Sequence, residues 1–203
     1  MTQATQTSYL QPYLEAAREH GAGFGALLWA SVRSQRARFA AICRAQDLTD
    51  KSVLDAGCGR ADLMAYLSER GRTPADYIGL EAVPALADAA DARKLPRTRI
   101  LRGDFVRDPR RLFVGADVII FSGSLNTIDD DAFYTVLRRA WDAAGETVVF
   151  NFLSSNLLAG KDYLVWRPIE EVNQFVGRLS SDITVLADYM DGDCTIAIRK
   201  PPD

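Results

Sequence analysis

The stretch Lys51–Leu67, KSVLDAGCGRADLMAYL, constrains this chain more than any other. Ser52-Val53-Leu54 is a short apolar run of the kind that forms a buried strand. The chain then breaks into Asp55-Ala56-Gly57-Cys58-Gly59 and resumes at helical spacing with Leu63, Met64 and Leu67. Strand, glycine turn and helix in that order make a ligand-binding corner. The glycines permit a tight turn and close approach of backbone to a bulky ligand, and the helix start presents unpaired N–H groups.

The charge of the corner limits the ligand. A dinucleotide fingerprint places a third glycine where a pyrophosphate rests on the helix start. Asp62 stands there instead, and Asp55 ends the strand, so a ligand carrying positive charge suits the corner better than a diphosphate. At this point the sequence resembles the class I S-adenosylmethionine-dependent methyltransferases, whose first motif reads acid-x-Gly-x-Gly-x-Gly. Asp55, Gly57 and Gly59 match, and Ala61 replaces the last glycine. The resemblance implies that Asp55, Ala56, Gly57, Cys58 and Gly59 cradle the methionine part of S-adenosylmethionine, with S-adenosylhomocysteine as product.

The remaining chain follows a strand–helix rhythm, which argues for a parallel sheet covered on both faces. Expected strands are Ser52–Asp55, Tyr77–Glu81, Thr98–Arg102, Ala116–Phe121 and Thr147–Phe152. Pro84 opens a helix, Asp108-Pro109 caps a short turn, and Asp129–Ala143 and Pro168–Leu179 read as helices. Asp182–Met190 and Cys194–Arg199 are β-rich runs joined by Asp191-Gly192-Asp193, a tight-hairpin signal. Such a hairpin ends an otherwise parallel sheet with an antiparallel strand. The expectation is therefore an α/β, Rossmann-like sheet of seven mostly parallel strands, over residues 51–203, behind an N-terminal helical cap over residues 1–50.

Within that cap, a polar lead-in and a helix over Tyr9–His20 precede the glycine-rich joint 21–25, and a helix is expected over Ala26–Ala45. Leu28, Val32, Phe39 and Ile42 mark its buried stripe. Arg33, Arg36 and Arg44 form either a solvated basic face or, for Arg36 or Gln35, a closure over the cofactor carboxylate, since leading helices in the family often cap the site. Trp29 reads as core or as part of a lid.

Glu81 ends the second strand, where an acid can accept from both ribose hydroxyls of an adenosine. The resemblance gives Ala82 beside it to the same ligand, and gives Asp104 and Phe105 to the adenine, Asp104 accepting from the amino group and Phe105 packing the ring. Asp104 also reads as a helix cap. Asp55, Glu81 and Asp104 each follow a different strand, so they are expected to line one crevice.

The methyl group belongs near Ser122-Gly123-Ser124-Leu125-Asn126, after the fourth strand. This loop lacks the Asn/Asp-Pro-Pro-aromatic run of nucleic-acid amino-methyltransferases and the cysteine of cytosine-carbon methyltransferases. Ser122 and Asn126 are the candidates for orienting an acceptor or, for Ser122, bonding the cofactor edge, and each also fits a role in holding loop backbone. His20 lies outside the core domain. Tyr163, Trp166 and Arg167 fit either acceptor recognition or packing, and Arg107, Arg110 and Arg111 read as a solvated patch.

Composition narrows the partners. A net charge of −3 gives no electrostatic reason to expect nucleic acid. No apolar run approaches the roughly 20 residues that span a bilayer, and the N-terminus lacks a signal-peptide pattern. Cys43, Cys58 and Cys194 have no metal-type spacing and cannot all pair, which suits a reducing cytoplasm. The expected activity is methylation of a small molecule with no metal. The competing readings are a nicotinamide-dependent oxidoreductase or epimerase, which the chain supports poorly because it has no Tyr-x-x-x-Lys pair, and a cofactor-binding module without turnover.

Overall fold

A computed structural model describes residues 8–201; the first part of the expected polar lead-in, residues 1–7, lies outside them. A turn of 3-10 helix at Ser8–Leu10 leads into α1 (Gln11–His20), a second such turn covers Phe24–Leu27, and α2 spans Val32–Ala45. Then come β1 (Ser52–Ala56), α3 (Asp62–Ser68), β2 (Asp76–Glu81), α4 (Pro84–Ala92), β3 (Thr98–Arg102) and β4 (Val118–Phe121). The chain closes with α5 (Asp130–Ala143), β5 (Thr147–Leu153), α6 (Ile169–Val176), β6 (Asp182–Leu186) and β7 (Asp193–Arg199).

The strands form one sheet in the order β3-β2-β1-β4-β5-β7-β6. β7 runs antiparallel to both its neighbours, and every other pairing is parallel. Alternation along the strands divides the core in two. Val53, Val118, Ile120, Val149 and Ala197 face one way, packing with Phe39 and Ile42 of α2 and Leu63, Met64 and Leu67 of α3. Leu54, Ile119, Phe121, Phe150 and Ile196 face the other way, toward Phe133, Val136 and Leu137 of α5 and Val172 and Val176 of α6. Because α2 contributes to the first of these clusters, a boundary at residue 50 runs through it. The segment before α2 packs separately, with Ala26 against Val83 and Leu86 at the start of α4 and with Tyr13, Leu14 and Leu27 around them.

Two elements depart from expectation. The long helix over Ala26–Ala45 is broken: Leu28 takes a left-handed φ of 57°, and α2 begins afresh behind Ser31. There a capping box forms, Ser31 Oγ accepting from the Ser34 N–H at 3.0 Å and Ser34 Oγ from the Ser31 N–H at 3.1 Å. The break leaves Val32 of the expected buried stripe 53% exposed. The terminal hairpin is not tight either. β6 stops at Leu186, opposite Thr195 in the register, so six residues, 187–192, connect the strands. Tyr189 in that connection is drawn to Asp193 and Thr195 by hydrogen bonds instead of continuing the ladder.

Candidate functional site

The strand order reverses between β1 and β4, and ligands of open α/β sheets bind outside the carboxyl ends at such a point. A crevice opens there, enclosing about 1340 Å³ including the part open to solvent.

The glycine turn forms its floor. The N–H groups of Gly57 and Cys58 both donate to the Leu80 carbonyl, at 2.7 and 3.1 Å, tying the turn to β2. Gly57 has φ 82° and a Cβ there would lie 2.4 Å from Ser124 Cβ, so no other residue fits. Ala61, the departure from the motif, also has a left-handed φ of 56° and is wholly buried at the entry to α3. The third glycine of the motif is thus a conformational requirement that alanine meets under strain.

Asp55, Glu81 and Asp104 all line this one crevice. Asp55 is 1% exposed. Its Oδ2 accepts from the Tyr77 hydroxyl, while Oδ1 is buried with no partner among the described residues. Burial pushes its carboxyl up to about 7, against the pull of the Tyr77 hydrogen bond, and the Glu81 and Asp62 charges add to the rise. Glu81 takes one backbone N–H on each oxygen, from Gly59 at 2.8 Å and Val83 at 2.7 Å, which fixes the carboxylate and leaves a lone-pair site on each. Burial raises it to about 6 although those N–H groups act the other way. Asp104 accepts from the Val106 and Arg107 N–H groups at 2.9 and 3.2 Å and from the Tyr9 hydroxyl at 2.5 Å. It serves as a turn cap and as the latch for the N-terminal segment, with one lone-pair site of Oδ2 left over.

Asp62 lines the crevice too, but it is not a bare negative charge: Arg93 lies 2.6 Å and Arg60 3.2 Å from its carboxylate. Cys58 packs its sulfur against Gly79. Burial, then the Asp55 and Glu81 charges, drive its thiol well above the ordinary range, so it stays protonated and inert.

Of the other expected residues, Ala82, Phe105, Ser122 and Asn126 reach the crevice. Phe105 is braced edge-on by Phe121 at 5.3 Å between ring centres. Ala56 lies beneath the floor, its carbonyl accepting from Ser124 Oγ at 2.6 Å. Ser122 Oγ donates to Asn151 at 3.2 Å, and Asn126 Oδ1 accepts from the Leu153 N–H at 3.3 Å. That last bond orients the amide so that Nδ2, which has no partner among the described residues, is the free end.

Arg36 is corrected. Its guanidinium turns outward, 2.7 Å from Glu69 and over the Tyr66 ring, because its place on α2 lies on the side of α3 away from the crevice. Gln35, one residue earlier, is the one that lines the crevice, its Nε2 3.3 Å from Asp62. Arg167 goes into the core, stacked 4.0 Å over Phe133 and bonded to Asp130 and the Ile128 carbonyl. His20 packs by Gly25, away from the crevice.

Residue reasoning missed Tyr9, Tyr13, Arg38, Thr127 and Met190, which all line the crevice. Tyr9, Tyr13 and Arg38 reach it from the elements before β1, Met190 from the long β6–β7 connection, and Thr127 from the loop after β4. Trp29, left open between core and lid, takes the second place: it lies against Gly123, where a Cβ would come within 2.8 Å of its ring.

This sheet order, with its single antiparallel strand, and this placement of the glycine turn define the Rossmann-like fold of the class I S-adenosylmethionine-dependent methyltransferases. Among solved structures, the chain superimposes over 100% of its own length and 100% of the other's on the DhpI–SAH complex, at 19% identity and a TM-score of 0.72. The DhpI–SAM–HEP complex matches over 99% and 100%, at 17% identity and a TM-score of 0.73. Magnesium protoporphyrin IX methyltransferase (ChlM) from Synechocystis PCC 6803 with bound SAH matches over 84% of each chain, at 12% identity and a TM-score of 0.66. No protein-family model and no curated protein matches the sequence. Among the described residues, no helix is long and apolar enough to cross a membrane.

Proposed function

We propose that the protein is an S-adenosylmethionine-dependent methyltransferase acting on a small molecule. The observation that carries this reading is the unpartnered Oδ1 of Asp55, buried in a crevice that Glu81 and Asp104 also line. A buried carboxylate oxygen without a donor is costly unless a ligand supplies one, and a cationic amino-acid arm does so. Asp55 and the Gly57–Gly59 turn hold that arm, Glu81 accepts from ribose hydroxyls, and Phe105 packs the adenine with the spare site of Asp104 beside it. When bound, the cofactor supplies an electrophilic methyl on a sulfonium sulfur, transferred to an acceptor nucleophile as the carbon–sulfur pair returns to sulfur.

The residues of this chain contribute alignment and exclusion of water. Tyr9, Tyr13 and Trp29, all from the segment before α2, line the crevice, which supports a small acceptor over a polymer. Burial first, and then the Glu81 charge, raise the Tyr13 hydroxyl to about 12, so it orients by donating a proton bond. Asn126 Nδ2 is free to do likewise. The free cysteines support a reducing, cytoplasmic setting.

Calorimetry with S-adenosylmethionine, S-adenosylhomocysteine and NAD tests the reading. Binding of the first two and none of the third is the expected result; the reverse pattern favours a nicotinamide enzyme. Saturable binding with no methyl transfer across a broad acceptor screen leaves a binding module. Asn126→Ala is expected to lower turnover more than cofactor affinity.

A further inference from the structure

A chain of polar side chains runs behind the crevice wall from Ser122 to Arg38, both of which line the crevice, on the side away from Asp55, Glu81 and Asp104. Ser122 donates to Asn151 at 3.2 Å, Asn151 Nδ2 to Thr195 Oγ1 at 2.8 Å, Thr195 to the Tyr189 oxygen at 2.8 Å, and Tyr189 to Asp193. Arg38 of α2 meets Asp193 from the other end, through Nε at 2.7 Å and through Nη2. Every donor in the series points toward the Asp193 carboxylate, whose side chain is fully buried. Burial, then the Asp193 charge, lift the Tyr189 hydroxyl far above its usual range, so it stays a donor.

The arrangement fixes Arg38 on three sides. Nε and Nη2 are held by Asp193, and the guanidinium plane lies 4.8 Å over the Trp29 ring. Nη1 has no acceptor among the described residues, although Arg38 is 93% buried, being 7% exposed, and lines the crevice. It is the single cation of the described lining; Asp55, Asp62, Glu81 and Asp104 are its charged companions. Those acids belong to the β1–β3 side. Asp193 instead begins β7 beside Leu153 at the end of β5, and Trp29 covers Gly123 after β4. Arg38 therefore serves the acceptor half.

We propose that Nη1 of Arg38 anchors an oxyanion of the methyl acceptor. The acceptor is then a small organic acid whose apolar body rests on Trp29, Leu153, Leu158 and Leu164, which line the same half. A guanidinium edge already held in plane loses little freedom when it takes a carboxylate, and the surrounding apolar wall strengthens the charge-assisted bond. The anchor orients the acceptor and is separate from the atom that receives the methyl. This inference rests on the methyltransferase reading above.

The test is calorimetric and needs no turnover. Protein saturated with S-adenosylhomocysteine is titrated with straight-chain and phenyl-substituted alkanoic acids of graded length and, in parallel, with their primary amides. In the wild type at least one acid is expected to bind about ten-fold or more tightly than its amide. Arg38→Met should abolish that preference while leaving S-adenosylhomocysteine affinity unchanged. Where the lone carboxylate left by that change prevents folding, the double variant R38M/D193N removes both charges and serves in its place. No acid preferred over its amide in the wild type overturns the inference, as does a preference that survives the substitution. Loss of S-adenosylhomocysteine affinity in the variant also overturns it, since Arg38 would then hold the cofactor. If S-adenosylhomocysteine fails to bind the wild type, the methyltransferase reading falls as well; failure of the acids alone brings down only the anchor.

Discussion

Asp55 combines two roles that conflict. As an anion it suits a cationic arm, yet burial holds its carboxyl at about 7 where the ordinary value is 3.8. The folded chain therefore binds a proton that the unfolded chain releases. Its stabilising contribution is full below the unfolded value and is lost as pH rises through about 7. Cofactor binding should draw out that proton. Affinity for S-adenosylmethionine is expected to rise about ten-fold between about pH 6 and pH 8, with proton release at the acid end. Calorimetry in buffers of different ionisation enthalpy measures both, and Asp55→Asn should flatten the curve. The glycine turn yields a second contrast. Gly57→Ala drives a methyl against Ser124 and should destroy cofactor binding, whereas Ala61→Gly relieves a left-handed alanine and should change stability by less than about 1 kcal/mol; thermal unfolding and calorimetry distinguish them. The acids Asp55, Glu81 and Asp104 were legible in the sequence because each falls at or just beyond the carboxyl end of an expected strand. That Asp104 spends most of its capacity on its own turn and on Tyr9 was not, since a partner 95 residues away leaves no local trace.

Among the elements, the N-terminal segment packs on the start of α4 and is latched to the crevice rim by further contacts. Tyr9 binds Asp104, Leu27 lies against Gly59, and Trp29 against Gly123. Tyr9→Phe removes one charge-assisted hydrogen bond, worth about 1.5–3 kcal/mol. Amide exchange in α1 should accelerate by roughly ten-fold or more, with β4 and β5 unaffected, and S-adenosylhomocysteine should dissociate faster; unchanged exchange in α1 would count against the latch. Strand signals were strong here. Thr98–Arg102 and the end of β2 at Glu81 fall where alternation and flanking turns put them. The helix over Ala26–Ala45 did not, because periodicity of apolar residues carries no information about a single left-handed residue such as Leu28. The Ser31/Ser34 capping box marks the true start of α2. Asp191-Gly192 invited a tight hairpin, and its competitor was tertiary: Asp193 is claimed by Arg38, which only the assembled sheet brings near.

For the molecule as a whole, the sheet separates two apolar clusters that differ in what lies at their upper edge. The α5–α6 face is sealed by aromatic contacts. Phe133 meets Phe150, Phe152 and Tyr134 edge-on and carries the Arg167 guanidinium over its face. Phe133→Ala should destabilise by about 3–5 kcal/mol, read from denaturant midpoints, and leave the orphaned Arg167 without its ring. The opposite face ends in the crevice and depends on a buried ion pair. Arg38→Met alone should cost a similar amount, about 3–5 kcal/mol, and the double variant with Asp193→Asn much less. That pair joins positions 155 apart in the chain, whereas the acids of the other half all fall between residues 55 and 104. Closure of so long a loop is expected to come late. Under the proposed function, a refolding molecule should therefore recover its grip on adenosine before its discrimination among acceptors, passing through a nucleoside binder with no preference for what is to be modified.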